Sequence, residues 1–314
     1  MCFKYITSFV LIVFWLSCGC VLPQGIAVIA DTQAPMQAEM LWLKEERNVE
    51  ASSVLFSHLL KENVEDVLML GDLVAMGSRE KDWTRVDYFI AALRRQSKNV
   101  YAIPGNHEYS FPASAGIAEF YKRFPRAQEA VQIYTFNSVA MVLVDANYRH
   151  ISQSRKKLQE TRYRHCLDSL QNDTTVRAII VCTHQPPYTN STAVKSSKEV
   201  QQRLVPLYQS TPKAVLFLSG HSHNMEYFCV QDKNYLVAGG GGGLYQPLYE
   251  LQKRKFNDLI DNGQRIRFFY LLIERKDNML IVKAKGFFVN DFTKNIEMEL
   301  MNIAFCNRDY PNVE

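Results

Sequence analysis

At 314 residues, with 47% hydrophobic and 22% charged residues, the chain is long enough to bury most of its unfolded surface in one large domain. No Pro/Ser-rich linker, no repeat of 20 to 50 residues and no low-complexity tract divides it, which argues against a second domain. The formal charge of +4 is scattered, and its densest clusters, Arg155-Lys156-Lys157 and Lys253-Arg254-Lys255, read as solvated helix faces; nucleic acid is not the expected partner.

The first 20 residues read as a secretory signal peptide: Lys4 in a short head, an apolar stretch from Phe9 to Leu16, then the small residues Ser17 to Cys20. That stretch is shorter than the roughly 20 residues of a membrane-spanning helix, so cleavage is expected. Cys18 and Cys20 keep a lipoprotein type open. The predicted location is secreted, periplasmic or cell-envelope, with membrane contact only through an uncleaved or lipidated N-terminus. Cys166, Cys182, Cys229 and Cys306 would then meet an oxidising compartment, with three possible pairings. Their spacing fits no zinc or redox motif, and Cys182 and Cys229 sit in apolar stretches typical of buried thiols.

Gly25 to Ala30 reads as a buried strand ending at Asp31, followed by helical periodicity through Leu41, Trp42, Val54, Leu55, Leu59 and Leu60 up to Asn63. A strand over 67–70 ends at Gly71-Asp72. A helix over 82–96 leads to a strand over 100–103. This alternation argues for a mixed sheet with right-handed crossovers. The later half is richer in strands: a hairpin about Asn137-Ser138, then runs over 178–183, 214–219, 227–230, 235–238, 268–274 and 280–285, with helices over 157–170 and 198–208. A second sheet packed on the first is the expected consequence.

Asp31, Asp72, Asn106, His184, His221 and His223 follow these strands, where open α/β folds place ligands. Each piece alone is ordinary, since a Gly-Asp after a strand is usually a turn. Taken together, four of only seven histidines fall on the set, counting His107 and setting aside His58, His150 and His165, whose sequence neighbours carry no such chemistry; His184, His221 and His223 are the other three. Two cations about 3.5 to 4 Å apart need a bridging anion, and Asp72 at a central strand end suits that role. Asp31, Asp72 and His223 would take one metal, and Asp72, Asn106, His184 and His221 the other. His221 and His223, two apart in an extended segment, would share a face. Imidazole with carboxylate suits manganese, iron or zinc, divalent or trivalent, better than calcium. A hydroxide bridging the ions would attack phosphorus in line, with His107 protonating the leaving oxygen or steadying the phosphoryl group together with Asn106, and Glu108 tuning His107.

The ordered set resembles the calcineurin-like metallophosphoesterase superfamily from about Ala27 to Phe288. Thr183-His184-Gln185-Pro186-Pro187-Tyr188, Gly220-His221-Ser222-His223-Asn224 and the run Gly239 to Gly243 look most like its purple acid phosphatase-like branch. The resemblance implies a four-layer α/β/β/α sandwich of two mixed β-sheets flanked by helices, an α/β (α+β) fold, with a dinuclear metal centre. It divides the chain into a signal peptide at 1–20, a metallophosphoesterase domain at 25–290 and a C-terminal extension at 291–314. Two departures stand out. Gln33 replaces the usual histidine two residues after Asp31, so this metal is expected to be held more weakly or to be a harder ion, bound through the amide oxygen if Gln33 coordinates. Ala75 occupies the place of the purple enzymes' tyrosine, so no purple colour is expected.

The expected activity is hydrolysis of a small phosphomonoester or phosphodiester by an exported enzyme. Tyr188, with Tyr109 and Tyr245, would stack on the leaving group at a rim formed by the glycine run, the loop about Tyr188 and residues 147–150. The alternative is a noncatalytic surface protein that retains the fold for binding. A nuclease would require a basic, aromatic groove.

Overall fold

The computed structural model describes residues 25–260 and 265–305. The expected signal peptide and Cys306 lie outside the described residues.

In chain order the elements are β1 (Gly25–Ile29), α1 (Asn48–Leu59), β2 (Asp66–Met69), α2 (Glu80–Arg95), β3 (Asn99–Ala102), α3 (Ala113–Arg123), β4 (Gln132–Phe136), β5 (Val139–Leu143), α4 (Gln153–Asn172), β6 (Ala178–Cys182), α5 (Lys198–Arg203), α6 (Val205–Ser210), β7 (Ala214–Ser219), β8 (Met225–Val230), β9 (Lys233–Ala238), β10 (Phe268–Lys276), β11 (Met279–Phe288) and β12 (Asp291–Ala304). One sheet runs β12-β11-β10-β1-β2-β3 and the other β4-β5-β6-β7-β9-β8. In the first, β1, β2 and β3 are parallel and β10 to β12 antiparallel. In the second, β5, β6, β7 and β9 are parallel between the antiparallel edge strands β4 and β8.

Side chains alternate across each strand, and in the central strands β1, β5, β6 and β7 both faces are apolar, which forces burial on both sides. Ile26, Val28 and Ala30 of the first sheet meet Met141, Leu143, Ile180 and Leu218 of the second in the central core. Their neighbours Ala27 and Ile29 face Leu55, Phe56, Trp83 and Leu93 of α1 and α2. On the far side Val142, Val181 and Phe217 pack on Tyr163 and Leu167 of α4 and Tyr208 of α6. These are the four layers, helices, sheet, sheet, helices, that the sequence implied.

The local differences have physical reasons. The first helix begins only at Asn48; Leu41 and Trp42, at the end of a 3-10 turn over Glu39–Leu41 and just after it, are 82% and 67% exposed, so their periodicity does not mark a core face. The helix expected over 198–208 is two short ones parted at Leu204, because Pro206 has no N–H to continue the ladder. The hairpin turn is as expected, with Asn137 and Ser138 both at positive φ (43° and 63°). α3 was not read from sequence. The stretch set apart as a C-terminal extension supplies β12, paired with β11 through Ala304. Cys182 is buried, but Cys229 is exposed because it sits on the outward face of an edge strand; both, with Cys166, are free thiols.

Candidate metal centre

The parallel strands β1, β2, β6 and β7 end at one edge, and the loops beyond them carry the polar residues into a buried cluster. Asp31 and Asp72 turn sharply at their strand ends, with φ of 59° and 52°, a left-handed conformation that aspartate tolerates better than most residues. Gly71, at φ +88°, prepares the second of these turns. Gly105 lies directly under the Asp72 carboxylate, where any Cβ would collide with it.

Asp72 is the common member of two groups whose ligand atoms all lie within 4.8 Å of one another: Asp72 with His184 and His221, and Asp31 with Asp72 and His223. Its Oδ2 is 3.1 Å from His184 Nε2. His223 Nε2 is 3.5 Å from Asp31 Oδ1, and Asn106 Oδ1 is 3.3 Å from His184 Nε2. The His184 and His221 rings stand 5.0 Å apart.

Three imidazoles are fixed from behind. Nδ1 of His107, His184 and His223 faces the carbonyl oxygens of Ala75, Leu70 and Leu244 at 2.7, 2.7 and 2.6 Å. A carbonyl can only accept, so each Nδ1 carries a proton. In the neutral ring of His184 and His223 this leaves Nε2 to present its lone pair to the cluster, the arrangement that orients metal-binding histidines. For His107 burial is outweighed by the nearby Asp72, which raises the imidazole and favours a proton on Nε2 as well.

Burial and mutual proximity set the charges of these groups. Burial pushes the Asp31 carboxyl up to about 8, against the pull of His184 and with the repulsion of Asp72 added. Asp72 is held well below the carboxylate range although burial opposes it, because His184 and His107 are close. Burial drives His221 and His223 down to about 3 and about 4. For His184 burial is outweighed by Asp72, and its imidazole rises to about 9. Two carboxyl groups, three imidazoles and an amide oxygen thus converge on one buried space. The donor set fits two cations of the manganese, iron or zinc type.

Gln33 belongs to this cluster and is buried. Oriented with its amide nitrogen donating to the carbonyls of Asp72 (2.8 Å) and Asp31 (3.2 Å), it turns its oxygen toward His223 Nε2 at 3.1 Å. That oxygen then faces the Asp31 and His223 side of the cluster. His107 Nε2 lies 3.8 Å from Asp72 Oδ2 and 3.8 Å from Glu39 Oε1.

Several expectations need correction. His221 and His223 do not lie on an extended segment: β7 stops at Ser219, and His221 takes φ 67° in a succession of tight turns. Both rings still reach the cluster because the Asp31 carboxylate accepts the His221 N–H with its two oxygens, at 3.0 and 2.9 Å. Tyr188 does not reach the site. Its ring packs edge-on against Tyr235 and Phe256, in the apolar layer beneath the loop. Tyr109 is buried and donates to Asp145 at 2.6 Å, and Tyr245 lies under Arg267. The glycine run is no rim either. It is buried behind the cluster, where Gly241 and Gly243 donate to the carbonyls of Ala30 and Asp31 at 2.9 and 2.7 Å.

Glu108 does more than face His107. Its buried carboxylate accepts the N–H groups of Asp72 (2.9 Å), Leu73 (2.8 Å) and Gly105 (2.7 Å), tying the β2 and β3 loops together. Sequence reasoning missed Glu39, which no motif marks. It also set aside His150, which stacks flat on Tyr109 at 5.0 Å.

The chain is similar in fold to a purple acid phosphatase from yellow lupin (Lupinus luteus) seeds, with a TM-score of 0.62 at 14% identity over 88% of this chain and 53% of that one. It therefore spans about half the length of the lupin enzyme. It is also similar to GAP50, described as the anchor in the inner membrane complex of Plasmodium (TM-score 0.58, 13% identity, 88% and 89% covered). A dimetal phosphatase from Danio rerio gives a TM-score of 0.56 at 13% identity, with 88% and 99% covered. No curated protein matches it in sequence. The sequence pattern of the calcineurin-like phosphoesterases matches residues 25–225, which is more than half the chain and takes in every residue of the cluster. The chain belongs to the calcineurin-like phosphoesterase family.

Proposed function

We propose that this protein is an exported, metal-dependent hydrolase of phosphoric esters. The observation that carries the reading is the Asp72 carboxylate shared by two ligand groups, Asp31 and His223 on one side and His184 and His221 on the other. Manganese, iron or zinc bound there would supply an acidified water and neutralise charge on the phosphoryl oxygens. Asp72 holds the two positions together, and Asn106 adds an amide oxygen on the His184 side. Gln33 adds one on the Asp31 side. His107, pinned at Nδ1 by Ala75, offers Nε2 at the edge of the cluster to protonate the departing oxygen.

Export is supported by Lys4 and the apolar stretch from Phe9 to Leu16. Among the described residues no helix is long and apolar enough to cross a membrane.

A second reading, a noncatalytic binding protein, is favoured by one observation: the fold resembles GAP50, named as an anchor, over 89% of its length. The replacement of a histidine by Gln33 is compatible with it. The retained ligands weigh against it, since a purely structural role places no demand on buried imidazoles with fixed tautomers. The deciding experiment loads the purified protein with manganese, zinc or iron and follows p-nitrophenyl phosphate and its diester. Turnover abolished by chelation and restored by metal is expected; none with any metal would leave the binding reading standing.

A further inference from the structure

We infer that the substrate's leaving group carries a second anionic group together with a hydrogen-bond donor, received by Arg149, Lys195 and Lys198 and by Gln185. This deepens the hydrolase reading and rests on it. A cavity of about 650 Å3 opens beside the cluster, with Asn106 and His221 on its inner wall. A group bound at the cluster therefore borders that space. The outer walls come from the loop after β5, the loop between β6 and α5, and the start of α5.

The charge of these walls is unbalanced. Arg149, Lys195 and Lys198 are exposed along them, and among the described residues none has an ion-pair partner. The one acidic wall residue, Glu199, is engaged by Arg203 Nε at 2.6 Å. Elsewhere the arginines Arg123, Arg126 and Arg203 are each matched by carboxylates. Three cations around one concavity raise the local concentration of anions and favour a substrate charged at both ends.

Gln185 adds direction. Its Nε2 donates to Asn147 Oδ1 at 2.7 Å, and Asn147 in turn donates to the Pro104 carbonyl at 2.9 Å. That chain fixes the amide and leaves Gln185 Oε1 buried without a protein donor. A buried acceptor of this kind calls for a donor, which a ligand hydroxyl or amine supplies. The chemistry is unchanged by this selection. Water adds to phosphorus, the P–O bond to the leaving group breaks, and the departing oxygen takes a proton. A phosphorylated sugar and a phosphorylated nucleoside both satisfy the description.

The test uses matched pairs that differ only in the second phosphate: a hexose monophosphate against its bisphosphate, and adenosine monophosphate against an adenosine bisphosphate. Manganese-loaded protein is expected to show kcat/KM at least roughly tenfold higher for the bisphosphate of one pair, carried mainly by KM, and the pair that responds identifies the source. The double variant Arg149→Ala, Lys195→Ala should reduce that preference roughly fivefold, and Gln185→Leu should raise KM within the preferred pair. Equal kcat/KM within both pairs would overturn the inference while p-nitrophenyl phosphate turnover continued. A preference unchanged in the double variant would overturn it too. Loss of turnover on every ester, the aryl one included, would overturn the hydrolase reading and this inference with it.

Discussion

In the cluster, three of the four imidazoles are locked at the far nitrogen by a backbone carbonyl, and the carboxylates sit on left-handed turns tied to neighbouring loops. In the cavity beside it, Arg149 and Lys195 on loops and Lys198 at the start of α5 stand exposed, with no carboxylate paired to them among the described residues. The first region is preorganised at the expense of backbone strain and buried charge, as a centre for cations requires. The second is held by fewer side-chain bonds, as surface segments that contact ligands commonly are.

The largest break in this contrast comes from Asp72→Ala. With the shared carboxylate gone, both positions should lose metal and turnover should fall to background, read by metal analysis and ester hydrolysis; wild-type turnover in that variant would refute the assignment. His107→Ala should separate chemistry from binding. Metal content stays near normal while kcat falls by about a hundredfold, the range of a lost general acid.

Glu108→Gln probes the tie between the β2 and β3 loops. An amide cannot accept from three backbone N–H groups at both ends, and a loss of about 4 kcal/mol in unfolding free energy is expected by denaturant titration. Destabilisation no greater than that of an exposed Glu→Gln change would dismiss this role.

Glu226 provides a pH probe behind the cavity loop, where Thr189 Oγ1 and the Asn190 N–H donate to it. Burial raises its carboxyl from 4.5 to about 7. Between these values the folded protein holds a proton that the unfolded chain has released, so stability falls as pH rises from 4.5 to about 7 and levels off above. The loss is about 3 kcal/mol at most. Glu226→Gln should flatten that slope in thermal melts across the window, and an unchanged slope would assign it to other groups.

Gln33→His is the smallest expected change. It should tighten the metal on the Asp31 and His223 side by roughly tenfold, read by competition with a chelator. Unaltered affinity would mean that the side chain at 33 does not face the ion.

Much of the cluster was legible because parallel strands of crossover units all end at one edge. A carboxylate or imidazole just after an apolar run is therefore delivered there whatever the loop does next. Asp31, Asp72, Asn106 and His184 were readable for this reason, and the two-group division around Asp72 followed from chemistry. The route for His221 and His223 was not: the sequence suggested alternation, whereas the loop turns at every step and depends on Asp31 to hold it. Tyr188 illustrates the opposite error. An aromatic beside a motif can satisfy the apolar layer under its own loop, and only packing reveals which way it turns.

Sequence by itself determined the elements that are apolar on both faces, the order in which they arrive and the chemistry of the residues at their ends, because periodicity and strand-end placement are local properties. Tertiary structure alone decided that Glu108 binds two loops, that the glycine run lies behind the cluster and that Arg149, Lys195 and Lys198 line one cavity. Each depends on groups far apart in the chain meeting in space, and no local pattern encodes that distance.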